Sequence, residues 1–252
     1  MADQIDYELI GDDFQAVVIT LDPHEAVRSE PGSMMWIEDG IEMDTSTGGG
    51  MMKGLKRMVG GESFFITSFE NHGPSRARVG FAADYPGKIL PVDLTHQTVL
   101  CQRDAYLCSA QGIDVSVAFT KRLGAGFFGG EGFILQKLSG EGLAFIHAGG
   151  HIVERDLVAG ETLRVDTGCI VGFQESVDYD IKMIKGIKTM LFGGEGLFYA
   201  TLRGPGKIWM QTTPFSRFAD RVMAAAGGSR GEVRRGSSIS GMLGDVLGGS
   251  RR

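Results

Sequence analysis

A glycine pair followed by glutamate stands at Gly60-Gly61-Glu62, Gly129-Gly130-Glu131 and Gly193-Gly194-Glu195, and this recurrence constrains the fold more than any other feature of the chain. Each copy follows a short basic, apolar segment: KGLKRMV at 53–59, KRLGAGFF at 121–128 and KGIKTMLF at 185–192. Each precedes a strand-like run (SFFITSF, GFILQKL, GLFYATL), a glycine-bearing turn (ENHG, SGEG, RGPG) and a second apolar run (RARVGF, LAFIH, KIWMQ). Two such runs about a turn read as a hairpin. A second landmark keeps step with the first. LDPHEAVRSEPGSMMWIED at 21–39 aligns without a gap on LTHQTVLCQRDAYLCSAQG at 94–112 and LVAGETLRVDTGCIVGFQE at 157–175. The alignment matches Leu21, Leu94 and Leu157, then Val27, Leu100 and Leu163, then Gly32, Ala105 and Gly168, then Met34, Leu107 and Ile170. Two landmarks in constant order imply tandem units of roughly 65–70 residues. Their bounds are about 5–80, 81–146 and 147–215.

Within each unit, apolar and polar residues alternate over short segments separated by turn residues, and helical periodicity is nearly absent before residue 215. The chain is therefore expected to be all-β. One unit alone lacks the surface to bury its apolar face, whereas three packed in a pseudo-threefold arrangement share a core. The longer spacing between the first and second units places an extended loop near Ala82 and Gly87.

The Gly-Gly-Glu segments, the stretch PGSMMWIEDGIEMDT at 31–45 and the glycine-rich tail resemble the bacterial branch of the altered-inheritance-of-mitochondria family, member twenty-four. The resemblance covers roughly residues 5–215. It implies three tandem β-sandwich units of the double-stranded β-helix type, similar to the tryptophan-sensing attenuation protein. Mitochondrial members of the family are linked to organelle membrane organisation. The N-terminus MADQIDYELIGDD is acidic and unlike a secretory signal or an arginine-rich presequence, so that role is not carried over. The expected location is cytoplasmic, with a peripheral membrane association.

The chain has 39 glycines and a net charge of −6. Seven arginines against three acids give residues 217–252 a charge of +4, which leaves −10 on residues 1–216. An acidic body excludes whole-surface nucleic-acid binding. Cys101, Cys108 and Cys169 form no CxxC pair, and an odd count points to buried thiols in a reducing compartment. No P-loop, HExxH, GxSxG or catalytic cysteine signature is present. His24, His72, His96, His147 and His151 are scattered. No catalytic residue, metal site or cofactor is assigned, and the chain is read as a non-enzyme. Glu62, Glu131 and Glu195 are equivalent by repeat and read as turn residues, since a calcium ion usually takes six or more oxygens.

The segments ahead of the glycine pairs are the candidate contact surface. They place Lys53, Lys56 and Arg57, then Lys121 and Arg122 with Phe127 and Phe128, then Lys185 and Lys188 with Leu191 and Phe192. Cations beside apolar side chains suit an anionic membrane surface or an acidic protein partner. Beyond residue 215, SRFADRVMAAA is expected to form a short helix stopped by Gly227-Gly228. The basic tail of 216–252 follows on as a segment that folds on a surface and is open to self-association. Ile239, Met242, Leu243, Val246 and Leu247 fall on one helical face there. The function expected is a scaffold or peripheral adaptor. The alternatives are a small-ligand sensor with a pocket between units and, by fold analogy only, RNA binding.

Overall fold

The computed structural model describes residues 5–44, 66–121, 133–183 and 198–234. The chain divides into two compact units, Met1–Pro214 and Phe215–Arg252. The first is all-β. After β1 (Asp6–Ile10), its strands fall into three consecutive groups. The first group is β2 (Ala16–Leu21), β3 (Ala26–Ser29), β4 (Met34–Ile37), β5 (Ile41–Asp44), β6 (Thr67–Asn71) and β7 (Ala77–Ala82). The second is β8 (Gly87–Asp93), β9 (Val99–Gln102), β10 (Tyr106–Ala110), β11 (Asp114–Lys121), β12 (Phe133–Ser139) and β13 (Leu143–Gly149). The third is β14 (Ile152–Leu157), β15 (Thr162–Asp166), β16 (Ile170–Gln174), β17 (Asp178–Met183), β18 (Phe198–Arg203) and β19 (Gly206–Gln211).

One antiparallel pairing rule holds in all three groups. The first strand pairs with the sixth, and the third also pairs with the sixth. The second pairs with the fifth, and the fourth also pairs with the fifth. Between groups, β10 pairs with β3 and β16 pairs with β9. Four sheets result, in the orders β1-β2-β7-β4, β5-β6-β3-β10-β13-β8, β11-β12-β9-β16-β19-β14 and β15-β18-β17.

This pairing corrects the expected hairpins. The runs on either side of ENHG, SGEG and RGPG do not pair with each other: β6 and β7, β12 and β13, and β18 and β19 lie in different sheets. The glycine-bearing turns are corners where the chain leaves one sheet for the next. Gly140 and Gly142, both at φ +132°, and Gly206, at φ +144°, supply backbone conformations that side chains resist. The consecutive strands that do pair, among those described, are β1–β2, β5–β6, β11–β12 and β17–β18. A corner and a hairpin need the same turn residues, and only the waiting partner strand tells them apart.

The landmark leucines Leu21, Leu94 and Leu157 are all buried, as are Val27 and Leu100. Most of the core is one cluster that includes Val17, Ile19, Phe69, Phe81, Phe145, Ile146 and Trp209, and a second cluster holds Phe133, Leu135, Phe173, Leu202 and Ile208. The chain alternates burial along strands such as β6, which reads buried, half-buried, buried, half-buried, buried. That alternation turns period-two sequence into one core-facing side.

The second compact unit contains α1 (Phe215–Arg234). It continues past Gly227-Gly228, where the sequence pattern predicts a stop. Glycine costs about 1 kcal/mol in a helix interior but does not forbid it, and Arg230, Glu232 and Arg234 beyond the pair favour continuation. No helix among the described residues is long and apolar enough to cross a membrane.

Candidate functional site

The residues named from sequence as a contact surface lie almost entirely outside the described residues. Lys53, Lys56, Arg57, Arg122, Phe127, Phe128, Lys185, Lys188, Leu191 and Phe192 are among these, and so are Glu62, Glu131 and Glu195. Lys121 ends β11 opposite Phe133, and its side chain is not among those described. The three segments connect β5 to β6, β11 to β12 and β17 to β18, so each joins the fourth and fifth strands of its group.

Within the body, perturbed side chains gather where the three groups approach one another. Glu30 lies between β3 and β4, and it is half-buried. Burial, with the nearby carboxylates of Asp104 and Asp84, raises its pKa from 4.5 to about 7 against the opposing pull of Arg103. Tyr85, on the connection into β8, is held protonated by burial and by the same acids. Its ring meets His147 of β13 edge-on at 4.6 Å between centroids. His147 is buried, and its Nδ1 has no hydrogen-bond partner among the described residues. Burial lowers its pKa from 6.5 to about 4, so the imidazole is neutral.

Register gives His147 its counterparts in the other groups. Ala16, Ile89 and Ile152 are equivalent first-strand positions, and they pair with Ala82, His147 and Gln211. Gln211 satisfies both ends of its amide, accepting from the Gly149 N–H at 2.8 Å and donating to the Gly168 carbonyl at 2.8 Å. The Gln102 amide donates to the Thr167 carbonyl at 3.5 Å, while the Thr167 hydroxyl is buried with no partner. Backbone closes tightly around this centre. A Cβ on Gly87 would stand 2.0 Å from the Ala148 carbonyl oxygen, and one on Gly149 would stand 2.1 Å from that of Thr213. Gln211 and Gln102 thus tie the third group's backbone to the second, while the Glu30 carboxyl, pushed up to about 7, stands among Asp84, Arg103 and Asp104. Cys101 and Cys108 are buried and their thiols are pushed well above the ordinary range, so neither is a nucleophile in the folded chain.

Two features lie at the surface. His24, Glu70 and His72 bring one ligand-type atom each within 4.8 Å of the others, and the His72 Nε2 also lies 3.9 Å from a Glu42 carboxylate oxygen. His24 holds a left-handed backbone at φ +69°. Zinc ligands at 2.0–2.2 Å would require these groups to close further around an ion. Sequence spacing missed this group because His24 and His72 belong to different turns, brought together by the β3–β6 ladder and by the His24 N–H donating to the Asn71 carbonyl at 2.7 Å. The second feature is a shallow cleft of about 560 Å³ where the second and third groups meet, lined by His96, Gln97, Glu141, Gln174, Glu175 and Ser176 among others. The Gln174 side-chain amide donates to the Gln97 Oε1 at 2.7 Å across it.

Comparison with known proteins follows the fold. The chain resembles an uncharacterised protein of Streptococcus pyogenes serotype M6, at 27% identity over 217 residues, covering 82% of this chain and 84% of that one. The X-ray structure of a protein from Streptococcus pyogenes has the same fold, with a TM-score of 0.73 at 24% identity over 88% of this chain and all of that one. The family model for mitochondrial biogenesis AIM24 matches residues 7–213, which spans every strand from β2 to β19. With its one pairing rule used in three successive groups of strands, the chain belongs to the mitochondrial biogenesis AIM24 family.

Proposed function

We propose that the protein is a non-enzymatic peripheral adaptor that contacts an anionic membrane surface through α1 and the three basic, apolar connections. The observation that carries this reading is the exposed apolar stripe of α1. Phe215, Phe218, Val222 and Met223 fall at i, i+3, i+7 and i+8 and are all at least 44% exposed. Arg217 and Arg221 occupy the opposite face. A helix with an apolar stripe and a cationic face lies in a headgroup layer and buries the stripe there. The cationic connections add the same chemistry, basic residues beside apolar ones, and each joins the fourth and fifth strands of its group.

Sedimentation with vesicles tests the reading. Wild type is expected to pellet with anionic vesicles and to stay in solution with neutral ones. A Phe218→Asp, Met223→Asp chain is expected to lose most of that binding, and replacing Lys53, Lys56, Lys121, Lys185 and Lys188 with glutamate is expected to lose the rest. Equal pelleting of wild type and both variants would refute the membrane contact. A protein captured by wild type but not by the helix variant would make the partner a protein instead.

A second reading, a small-ligand sensor, is favoured by the polar cleft between the second and third groups. Its test is a thermal shift by a polar metabolite that is lost in a Gln174→Ala variant.

A further inference from the structure

We propose that the protein assembles with a second copy of itself by pairing β4 of one chain with β15 of the other. The two six-stranded sheets share a single strand order. Written by position within each group, it is fourth, fifth and second strands of one group, then third, sixth and first of the next. The remaining sheets are the two halves of this arrangement. The sheet β15-β18-β17 is the half that ends on a second strand, and β4-β7-β2, with β1 added, is the half that begins on a third strand. Two joints of this kind are made within the chain, and among the described strands the third is left open at both ends.

The internal joints also fix the register. Cys108↔Ser29, Ser109↔Arg28 and Ala110↔Val27 make the first, and Gly172↔Cys101 and Phe173↔Leu100 continue the same register in the second. Carried to the open ends by the alignment of the groups, it sets Met35 opposite Val165, Trp36 opposite Arg164 and Ile37 opposite Leu163.

Burial separates used from unused edges. Cys108 and Ala110 are 0% exposed, and Val171 and Phe173 are 1% exposed, whereas their counterparts Met35 and Ile37 are 54% and 39% exposed. The same holds across the joint, where β9 is buried throughout and β15 is exposed at Thr162 and Arg164. The β4 sequence is Met34-Met35-Trp36-Ile37, with no charge and no proline. Edges that must stay single are guarded by lysine, proline or bulges; the register shift in β4 between Met34 and Trp36 recurs in β10 and β16, both of which pair with a further strand. In the carried-over register, Met35 and Ile37 meet Leu163 and Val165 on one face. On the other face Trp36 meets the Arg164 guanidinium, and Glu38 lies diagonally across from Arg164 with opposite charge. The contact is heterologous, and a two-fold dimer that makes the joint twice leaves neither β4 nor β15 as an open edge.

This proposal is independent of α1 and of the cationic connections. Sedimentation velocity and cysteine pairing test it on the full chain in a Cys169→Ser background. Wild type is expected to associate with rising concentration, and Ile37→Glu is expected to sediment as a monomer with its melting temperature unchanged. One differently tagged chain carries Ile37→Cys and the other Leu163→Cys. Directly opposite positions suit a disulfide, so mild oxidation of the mixture is expected to link the two chains, while Ile37→Cys mixed with Arg164→Cys is not. Three results would overturn the proposal: a monomer at every concentration with no linked product, association that survives Ile37→Glu, or a doubly substituted chain that closes only on itself.

Discussion

Glu30 and His147 titrate in opposite senses. The Glu30 carboxyl binds its proton more tightly in the folded chain than in the unfolded one, since its pKa rises from 4.5 to about 7. Its contribution is therefore full below pH 4.5 and is lost as pH rises through 7. The His147 ring binds its proton less tightly when folded, since its pKa falls from 6.5 to about 4. Its contribution is full above pH 6.5 and is lost as pH falls through 4. The two slopes oppose each other between pH 4.5 and 6.5. Glu30→Gln is expected to gain melting temperature over wild type as pH rises from 4.5 to 7. His147→Gln, which installs the residue found at the equivalent position 211, is expected to gain over wild type as pH falls from 6.5 to 4. A chain of this size shifts by about 2–4 °C per kcal/mol, so scanning calorimetry across pH resolves both trends. A close backbone approach sets a second expectation. Gly87→Ala would drive a Cβ into the Ala148 carbonyl and the His147 ring. It is expected to cost about 1–3 kcal/mol, read as a lower urea midpoint with an unchanged slope.

At the scale of elements, much was legible and one relation was not. The apolar, β-branched and aromatic runs SFFITSF, GFILQKL and GLFYATL read as strands, and their described residues fall largely in β6, β12 and β18. The buried landmarks Leu21, Leu94 and Leu157 were legible because one environment recurs and selects one residue type. The partner of each strand was not legible. ENHG, SGEG and RGPG looked like hairpin turns, yet β6, β12 and β18 pair with β3, β9 and β15 from much earlier in the chain. The helix boundary failed for a different reason, since Gly227-Gly228 is unfavourable in a helix but not prohibitive. The His24, Glu70 and His72 group was invisible because it depends on the β3–β6 register, which no local spacing encodes.

At the scale of the whole molecule, the body and the tail are separate compact units, with the division after Pro214. A chain ending at residue 214 is accordingly expected to unfold cooperatively within about 2–4 °C of wild type, a shift of no more than ~1 kcal/mol. A large loss of stability on truncation would mean that the tail helps hold the β body together. Vesicle binding and self-association are expected to divide along the same line: truncation weakens pelleting with anionic vesicles and leaves edge pairing intact.

The sequence by itself determined the all-β class, the recurrence of the landmarks and the acidic body with its basic tail. These properties are written residue by residue, through alternation, turn chemistry and charge. Tertiary structure alone decided three things: which strand meets which, the burial that shifts His147 and Glu30, and which second and third strands are left without each other. Each depends on partners some fifty to eighty residues apart, such as Arg28 with Ser109 or Tyr106 with Arg28. Repetition makes the units alike, but three groups joined in a row make only two joints. Among the described strands, β4 therefore has no second strand of another group beside it, and β15 has no third strand beside it.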